Sequence, residues 1–400
     1  MTSTFPAAAD APATRSREPL PVPALIVMAC TGFIVIMTET LPAGLLPQLA
    51  DGLGVSEGGA GQLVSAYAMG TVLAAIPAIM LTRGARRKPL LLAGLVGFLV
   101  ANTVTTLSPS LPVALGARFV AGAFSGLLWG MLAGYARRIA APEYAGRALA
   151  IAMTGTPVAL SAGTPLGAWL GSTVGWRWAF AAMSLLTAVV MVFAWFLVPD
   201  IPGQRAQTRV PLARVLGIPG VATVLVVVFV WMLAHNLLYT YIAPYLRQTH
   251  LALRPDLALV VFGVAALGGI WITGVFIDHA LRRLTLVSVS LFVVSGATFV
   301  LARQSLVLTL LAIVLWGIAF GGAATHLQTA MGEAAGENGD VANALLTTSF
   351  NLAIFAGGAL GAVVVDRLGA SVLPMGMIVL ALIALVTVGC GRRAAFPAGR

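Results

Sequence analysis

Two charged side chains stand inside long apolar stretches of this 400-residue sequence, and their charges are opposite. Glu39 offers a carboxyl group that can bind and release a proton, and Arg118 offers a guanidinium that can neutralise the carboxylate. Burial in an apolar medium disfavours a charged carboxylate, whereas a nearby guanidinium favours it. A movement that changes their separation would therefore bind or release a proton. The pair predicts a proton-coupling site, and the alternative is a permanent buried ion pair that holds two helices together.

Neutral polar and aromatic side chains in the same stretches could contact a small organic molecule. Pockets for small ligands are mostly apolar and contain only a few polar groups that orient the ligand. The alternative for any single one of these residues is a hydrogen bond between neighbouring helices. The predicted substrate contacts are Tyr67, Trp129, His235, Asn236, Tyr239, Gln328 and Phe350.

Other kinds of chemistry find no support in the residue pattern. His235 and His326 are isolated, and the only two cysteines, Cys30 and Cys390, have no metal-ligand spacing. We therefore expect neither a metal nor another cofactor. An enzyme would need clustered nucleophiles, bases or metal ligands, and because the sequence contains no such cluster it does not predict an enzyme.

The candidate residues lie on segments whose composition is typical of a membrane protein. Hydrophobic residues make up 59% of the chain and charged residues 9%, against about 25% charged in a soluble domain. A helix needs roughly 20 mostly apolar residues to cross the hydrocarbon core. Continuous apolarity favours such helices over the alternating strands of a barrel. Twelve spans are predicted, at 21–48, 58–82, 89–107, 111–136, 146–171, 177–198, 219–246, 257–277, 284–302, 305–331, 342–365 and 371–391.

The basic residues predict the orientation of these spans. Most of the 23 Lys and Arg residues fall on the side of both termini, and loops rich in Lys and Arg are usually cytoplasmic. The net charge of +10 is thus interpreted as a topology signal and not as a nucleic-acid site. The predicted organisation is a disordered cytoplasmic tail (1–20), an N-terminal six-helix bundle (21–198), a cytoplasmic linker (199–218), a C-terminal six-helix bundle (219–391) and a cytoplasmic tail (392–400).

The two halves of the sequence match each other at a nearly constant offset. Pro47 matches Pro244 at an offset of 197, and Gly122 matches Gly317 at an offset of 195. A parallel repeat of this kind places a binding site between the halves, near the middle of the membrane. The predicted fold class is an all-α membrane protein with twelve transmembrane helices, arranged as two six-helix bundles related by a pseudo-two-fold repeat.

Four short patterns have a characteristic residue spacing. They are the segment 38–47 around Glu39, the pattern Arg118-x-x-x-Gly122, the pattern Ala162-Gly163-Thr164-Pro165-x-Gly167, and the basic loop 82–88 with its second copy at 274–283. Together they resemble the major facilitator superfamily and, within it, the drug:proton antiporter-1 group. The resemblance extends from about Pro21 to Gly391 and includes bacterial arabinose, sugar, purine nucleoside and chloramphenicol efflux transporters.

The resemblance implies roles for the loops and for the fifth helix. In the first loop Thr82 stands where the family usually has Asp, whereas the second copy keeps the acid as Asp278. Asp278 could accept a hydrogen bond from Arg282 and cap a neighbouring helix. The implied gating residues are Arg83, Arg86, Arg87, Asp278 and Arg282. The helix 5 antiporter motif comprises Gly163, Pro165 and Gly167, with Thr164 inserted between the usual Gly and Pro, and in the resembled antiporters this face seals the interface between the halves.

The resemblance also implies an activity. We expect a secondary transporter of the bacterial inner membrane that exports a drug, sugar or nucleoside-like molecule by proton antiport with alternating access. The alternative is a proton-coupled uptake symporter, and a non-transporting sensor or an enzyme is less favoured. The sequence has no phosphate-binding loop, so ATP is not the expected energy source. The expected partners are the substrate, protons and the lipid bilayer, without nucleic acid, and a monomer is expected.

Overall fold

The structure, a computed structural model, describes residues 20–82, 84–203, 212–249, 253–302, 305–391 and 394–397. Every regular element in this part of the chain is helical. A π-helical turn, Ala159–Gly163, joins α7 to α8. The α-helices are α1 Val22–Gly44, α2 Leu46–Leu53, α3 Glu57–Thr82, α4 Arg87–Leu107, α5 Leu111–Arg138, α6 Ala145–Met153, α7 Gly155–Val158, α8 Thr164–Thr173, α9 Trp176–Leu197, α10 Leu212–Leu216, α11 Val221–Tyr239, α12 Ile242–Gln248, α13 Pro255–Leu301, α14 Leu306–Gly321, α15 Ala323–Ala335, α16 Gly339–Leu368 and α17 Leu373–Cys390.

Ten helical segments in the described part of the chain are long and apolar enough to cross a membrane. One of the ten is α13, which covers two predicted spans and is divided by the non-helical backbone of Ala280, at φ −143° and ψ 28°. Helix α3 lies where the span 58–82 is predicted and is not among the ten. The chain is therefore an all-helical membrane protein, and the predicted count of twelve depends on dividing α13 and including α3.

Large apolar side chains cover much of the outside of the molecule. Trp195, Phe196 and Trp271 each expose more than half of their surface. A water-soluble protein rarely exposes continuous apolar surface on this scale. Lipid tails are as apolar as these side chains, so the same surface carries no penalty in a bilayer. The burial pattern therefore agrees with the long apolar spans.

The helices that begin the two halves are interrupted at equivalent places. A break at Leu45 separates α1 from α2, and Pro47 lies in the first turn of α2. A break at Thr240 and Tyr241 separates α11 from α12, and Pro244 lies in the first turn of α12. Proline is tolerated in a first helical turn because the N–H groups there have no partner within the helix. The matched prolines of the sequence repeat thus mark the same structural break.

The helices before the linker pack mainly on one another, as do the helices after it, and two main seams join these two groups, with smaller contacts of α12 against α1 and α2. In one seam α3 packs against α16, where Gly358 faces Ser65. In the other seam α8 and the π-helical turn pack against α13, where Gly263 faces Ser161. Small residues at such contacts let two helix backbones approach closely. A relative movement of the two groups has to take place at these seams.

Two names describe the ends of the bundle. The linker end carries residues 84–86, the start of the linker at 199–203, residue 391 and the segment 394–397. The far end carries the turns at 54–56, 108–110 and 369–372. The basic loops of the sequence lie at the linker end, which is the end predicted to be cytoplasmic.

Candidate functional site

Arg118 is completely buried in the first third of α5. Its Nε donates to the backbone oxygen of Leu63 at 3.3 Å, and its Nη2 donates to the backbone oxygen of Glu39 at 3.4 Å. The guanidinium carbon lies 4.8 Å from the centroid of the Tyr67 ring. Its Nη1 has no hydrogen-bond partner among the described residues. A buried cation with an unpaired nitrogen is costly, which supports a role for this group beyond packing.

The Glu39 carboxylate lies within electrostatic range of Arg118 but does not form a salt bridge with it. No hydrogen bond to this carboxylate is found within the described part of the chain, and the residue is partly exposed. A salt bridge requires a nitrogen–oxygen distance of about 4 Å or less. The structure thus brings the two predicted coupling residues together without pairing them. Ion pairs among the described residues include Arg86–Asp200, Arg247–Glu57 and Arg254–Asp256.

Polar groups that the sequence analysis did not single out surround this part of α1. The Oγ1 atoms of Thr40 and Thr164 are 2.8 Å apart, and Asn102 Nδ2 donates to Thr38 Oγ1 at 3.2 Å. Thr164 and Asn102 are almost completely buried. Hydrogen bonds between buried groups fix the relative position of the helices that carry them, although Asn102 Oδ1 has no partner among the described residues. Their signal in the sequence is weak because single Thr and Asn residues often form ordinary interhelical hydrogen bonds.

Thr164 directly follows the π-helical turn Ala159–Gly163, and its backbone N–H donates to the carbonyl of Ala159. This hydrogen bond spans five residues instead of four, so the turn accommodates one extra residue. The π-helical turn therefore accommodates Thr164, the residue that appears as an insertion in the helix 5 pattern. Pro165 then lies in the first turn of α8, where a missing N–H costs little.

The glycines of the helix 5 motif face α1, and not the second group of helices as the resemblance implies. A Cβ at Gly163 would meet Met37 and Phe33, and a Cβ at Gly167 would meet Leu41. All three neighbours belong to α1, so this face packs within the first group of helices and does not seal the interface between the halves. The contacts with the second group include Ser161, which lies on the other side of the helix, and the backbone oxygen of Leu160, both close to Gly263.

His235 and Tyr239 belong to an aromatic cluster in the second group of helices. The His235 ring stacks on Phe320 with 3.5 Å between the centroids, and the Tyr239 centroid is 4.9 Å from His235. Trp316 Nε1 donates to His235 Nδ1 at 3.1 Å, so this nitrogen carries no proton in that arrangement. Phe262 completes the cluster. Trp316, Phe320 and Phe262 were not predicted, because aromatic residues in apolar spans usually serve packing alone.

The other predicted substrate contacts differ in accessibility. Asn236, Trp129 and Phe350 are partly exposed, and Gln328 is exposed. Tyr67 is completely buried, and its hydroxyl donates to the backbone of α1 at 3.1 Å. Tyr67 therefore supports Arg118 in this conformation and does not line a space that a substrate could enter.

The predicted gating residues of the first half contact the start of the linker. Arg86 Nε lies 2.5 Å from one Asp200 oxygen, and the other Asp200 oxygen accepts from the backbone N–H of Lys88 at 3.2 Å. The backbone N–H of Arg87 donates to the linker at 2.9 Å. Asp200 thus supplies the acid that the loop motif lacks. Arg83 lies outside the described residues.

The predicted contact between Asp278 and Arg282 is not made in the described structure. Arg282 instead donates to the backbone oxygens of Val388 at 2.9 Å and Gly389 at 3.0 Å, near the end of α17. A cation at that position stabilises carbonyl groups that have no helical partner. The physical reason is the break at Ala280, which removes the regular helical spacing that would bring Asp278 and Arg282 to the same face.

Several known proteins are similar to this chain over most of its length. The sequence profile of the Major Facilitator Superfamily matches residues 28–358. A chloramphenicol efflux pump of Mycobacterium tuberculosis is 30% identical over 375 residues, which cover 91% of this chain and 91% of the pump. A probable sugar efflux transporter of Helicobacter pylori is 27% identical over 356 residues, which cover 86% of this chain and 89% of the relative. A probable sugar efflux transporter of Mannheimia succiniciproducens is 25% identical over 355 residues.

Proposed function

Because the chain belongs to the Major Facilitator Superfamily, we propose that it exports a small organic molecule from a bacterial cell by proton antiport. The chain is a multi-pass membrane transporter that resembles efflux pumps, and it is not an enzyme. The proposal adds the direction of transport, the proton gradient as energy source, and a drug, sugar or nucleoside-like substrate.

The single observation that carries the proton-coupling proposal is the state of Glu39. The residue lies within α1, an apolar helix long enough to cross a membrane, is partly exposed, and forms no salt bridge to Arg118. An ionisable group at this depth is retained at a cost and is a functional site by default. A permanent ion pair that holds two helices together would also justify the cost of burying Glu39. That alternative requires a salt bridge between Glu39 and Arg118, which this conformation lacks. A proton-binding role requires no such contact.

In the proposed cycle Glu39 binds a proton while the site is open to the far end, and it releases the proton and accepts substrate while the site is open to the linker end. Release leaves a carboxylate that attracts Arg118. Two unit charges 4 Å apart attract each other by about 4 kcal/mol at an effective dielectric constant of 20. An energy of this size is sufficient to change the preferred spacing of α1 and α5 when the proton leaves.

The proposed substrate space lies between Glu39 and the aromatic cluster of the second group. Tyr239 of the second group lies within electrostatic range of Glu39 in the first group, which supports placing the substrate between the two groups. Aromatic walls with a few polar groups suit small organic ligands. Chloramphenicol, the substrate in the name of one relative, has an aromatic ring and hydroxyl groups that match both kinds of wall. A sugar would use the polar groups alone.

We further propose that the protein acts as a monomer in the bacterial cytoplasmic membrane, with both termini in the cytoplasm. The support is the bias of Lys and Arg toward the linker end, which follows the positive-inside rule. The relatives reported above are bacterial proteins.

The test uses the purified protein in proteoliposomes with an imposed pH gradient. Movement of radiolabelled chloramphenicol and of radiolabelled arabinose is measured separately for the wild type, Glu39→Gln and Glu143→Gln. Glu143 is an exposed acid outside the long helices, so its variant is a matched control. We expect gradient-driven transport of at least one compound, lost in Glu39→Gln and retained in Glu143→Gln.

Two results would contradict the proposal. Undiminished gradient-driven exchange in Glu39→Gln would remove the coupling role of this residue. Movement of substrate in the same direction as the protons would identify an uptake symporter and overturn the antiport assignment.

A further inference from the structure

Residues from both groups of helices meet at the far end. Asp366 of α16 accepts a hydrogen bond from Ser56 Oγ at 3.0 Å and another from the backbone N–H of Gly58 at 3.2 Å. Beside this contact Arg247, near the end of α12, forms an ion pair with Glu57, the first residue of α3. We call these five residues the far-end latch.

The latch contains a helix cap that comes from the other half of the molecule. Ser56, Glu57 and Gly58 form the start of α3, whose first N–H groups have no partner within the helix. Ser56 Oγ accepts from the backbone N–H of Gly59 at 3.0 Å, and Asp366 accepts from that of Gly58. An acid is favourable at this position because the start of a helix carries partial positive charge. The beginning of α3 is therefore completed only while α16 lies against it.

Side-chain bonds between the two groups are concentrated toward the far end of the described structure. Besides the latch, Ser65 Oγ on α3 donates to the backbone oxygen of Phe355 on α16 at 3.2 Å. At the linker end, Arg86 bonds to Asp200 directly after α9, and Arg282 bonds to the end of α17. Both of those contacts stay within one group and the segment that follows it. A separation of the groups at the far end would thus break the latch and leave the linker-end contacts intact.

We propose that the far-end latch holds the transporter closed at the far end and breaks each time the site opens to that side. The inference rests on the alternating access of the proposed function. The side chains of Arg247 and Glu57 are 51% and 22% exposed, and exposed ion pairs are individually weak. Contacts of this strength bias the equilibrium between the two states without locking the protein in one of them. Loss of a helix cap corresponds to roughly a 2- to 30-fold change in such an equilibrium.

The test measures the opening of the far end directly. Cys30 and Cys390 are replaced by serine, and nitroxide labels are attached to cysteines introduced at Asp51 and Leu368, two exposed positions at the far end in different groups. Pulsed electron paramagnetic resonance then gives the distribution of distances between the labels in lipid nanodiscs. We expect Asp366→Ala, which removes the cap, to increase the population with long distances by about 2- to 30-fold. Arg247→Gln, which removes a partly exposed ion pair, should increase it by about 1.4- to 5-fold.

Arg254→Gln is the matched control. Arg254 lies at the same end, its side chain is 55% exposed, and it pairs with Asp256 of its own group. Its loss should leave the distance distribution unchanged. The charge exchange Glu57→Arg with Arg247→Glu should restore the distribution that Arg247→Gln disturbs, which separates the latch from a general loss of folding.

The outcomes distinguish the latch from the transport proposal. If Asp366→Ala and Arg247→Gln give the same distances as Arg254→Gln, the latch is refuted. If these variants shift the distances as expected while the wild type shows no proton-driven transport, the latch is supported and the proposed antiport fails.

Discussion

Replacement of Gly122 by alanine should disturb the packing that holds Arg118. A Cβ at Gly122 would overlap the backbone carbonyl of Tyr67 on α3, and no side-chain rotation can relieve such an overlap. One turn later, a Cβ at Gly126 would lie 3.0 Å from the backbone of Ala75. Helix α5 therefore lies against α3 without space for a side chain, and the substitution forces the two helices apart.

The structure indicates the size of the effect. Inserting a methyl group into a packed interior typically costs about 1–3 kcal/mol. Arg118 lies one turn before Gly122 on the same face of α5. Its hydrogen bonds to Leu63 and Glu39 are 3.3 and 3.4 Å long, already at the upper limit for such bonds. A further separation of α5 from α3 by a few tenths of an ångström would break the bond to Leu63, so we expect a loss of stability together with a loss of proton-coupled transport.

The assay is thermal unfolding of the purified protein in detergent, followed by tryptophan fluorescence, with transport measured on the same preparations. The control is Gly116→Ala on the same helix, where an added Cβ meets no atom within 4 Å. Both variants gain the same helix propensity, so the difference between them reports the overlap alone. An unfolding temperature of Gly122→Ala equal to that of Gly116→Ala would refute the close packing of α3 and α5.

Two further predictions concern the surroundings of the site. Trp316→Phe removes the donor to the buried His235 and should lower the free energy of unfolding by about 1–3 kcal/mol, measured by thermal unfolding. Trp178→Phe, at an exposed tryptophan, should have little effect, and equal losses in the two variants would contradict this account of the aromatic cluster. Thr164→Val keeps the shape of the side chain but removes its contact with Thr40, so it should cost about 0.5–1.5 kcal/mol and reduce transport. Thr164→Ser keeps the hydroxyl and should retain transport, and equal rates in the two variants would show that the hydroxyl has no role.

Composition and local pattern determined the membrane environment and the helical character of the chain. An uncharged run of about 20 apolar residues satisfies its backbone in lipid only as a helix. Glu39 and Arg118 stood out for the same reason, because a charge inside such a run is too costly to be incidental. The membership of the superfamily, expected from four short patterns, is confirmed by the match to residues 28–358. These properties can be read locally, since each depends on neighbouring residues in the chain.

The tertiary structure decided which groups meet. Gly58 and Asp366 are separated by 308 positions, and Thr40 and Thr164 by 124, so no local pattern indicates either contact. Asp278 and Arg282 are only four residues apart, yet the break at Ala280 prevents the contact that their spacing predicts. A hydrogen bond or ion pair is made or lost when its atoms move by a few tenths of an ångström. The apolar pattern of a helix places the helix in the membrane but does not fix its exact tilt or depth. Contacts between distant helices therefore depend on how all of the helices pack together.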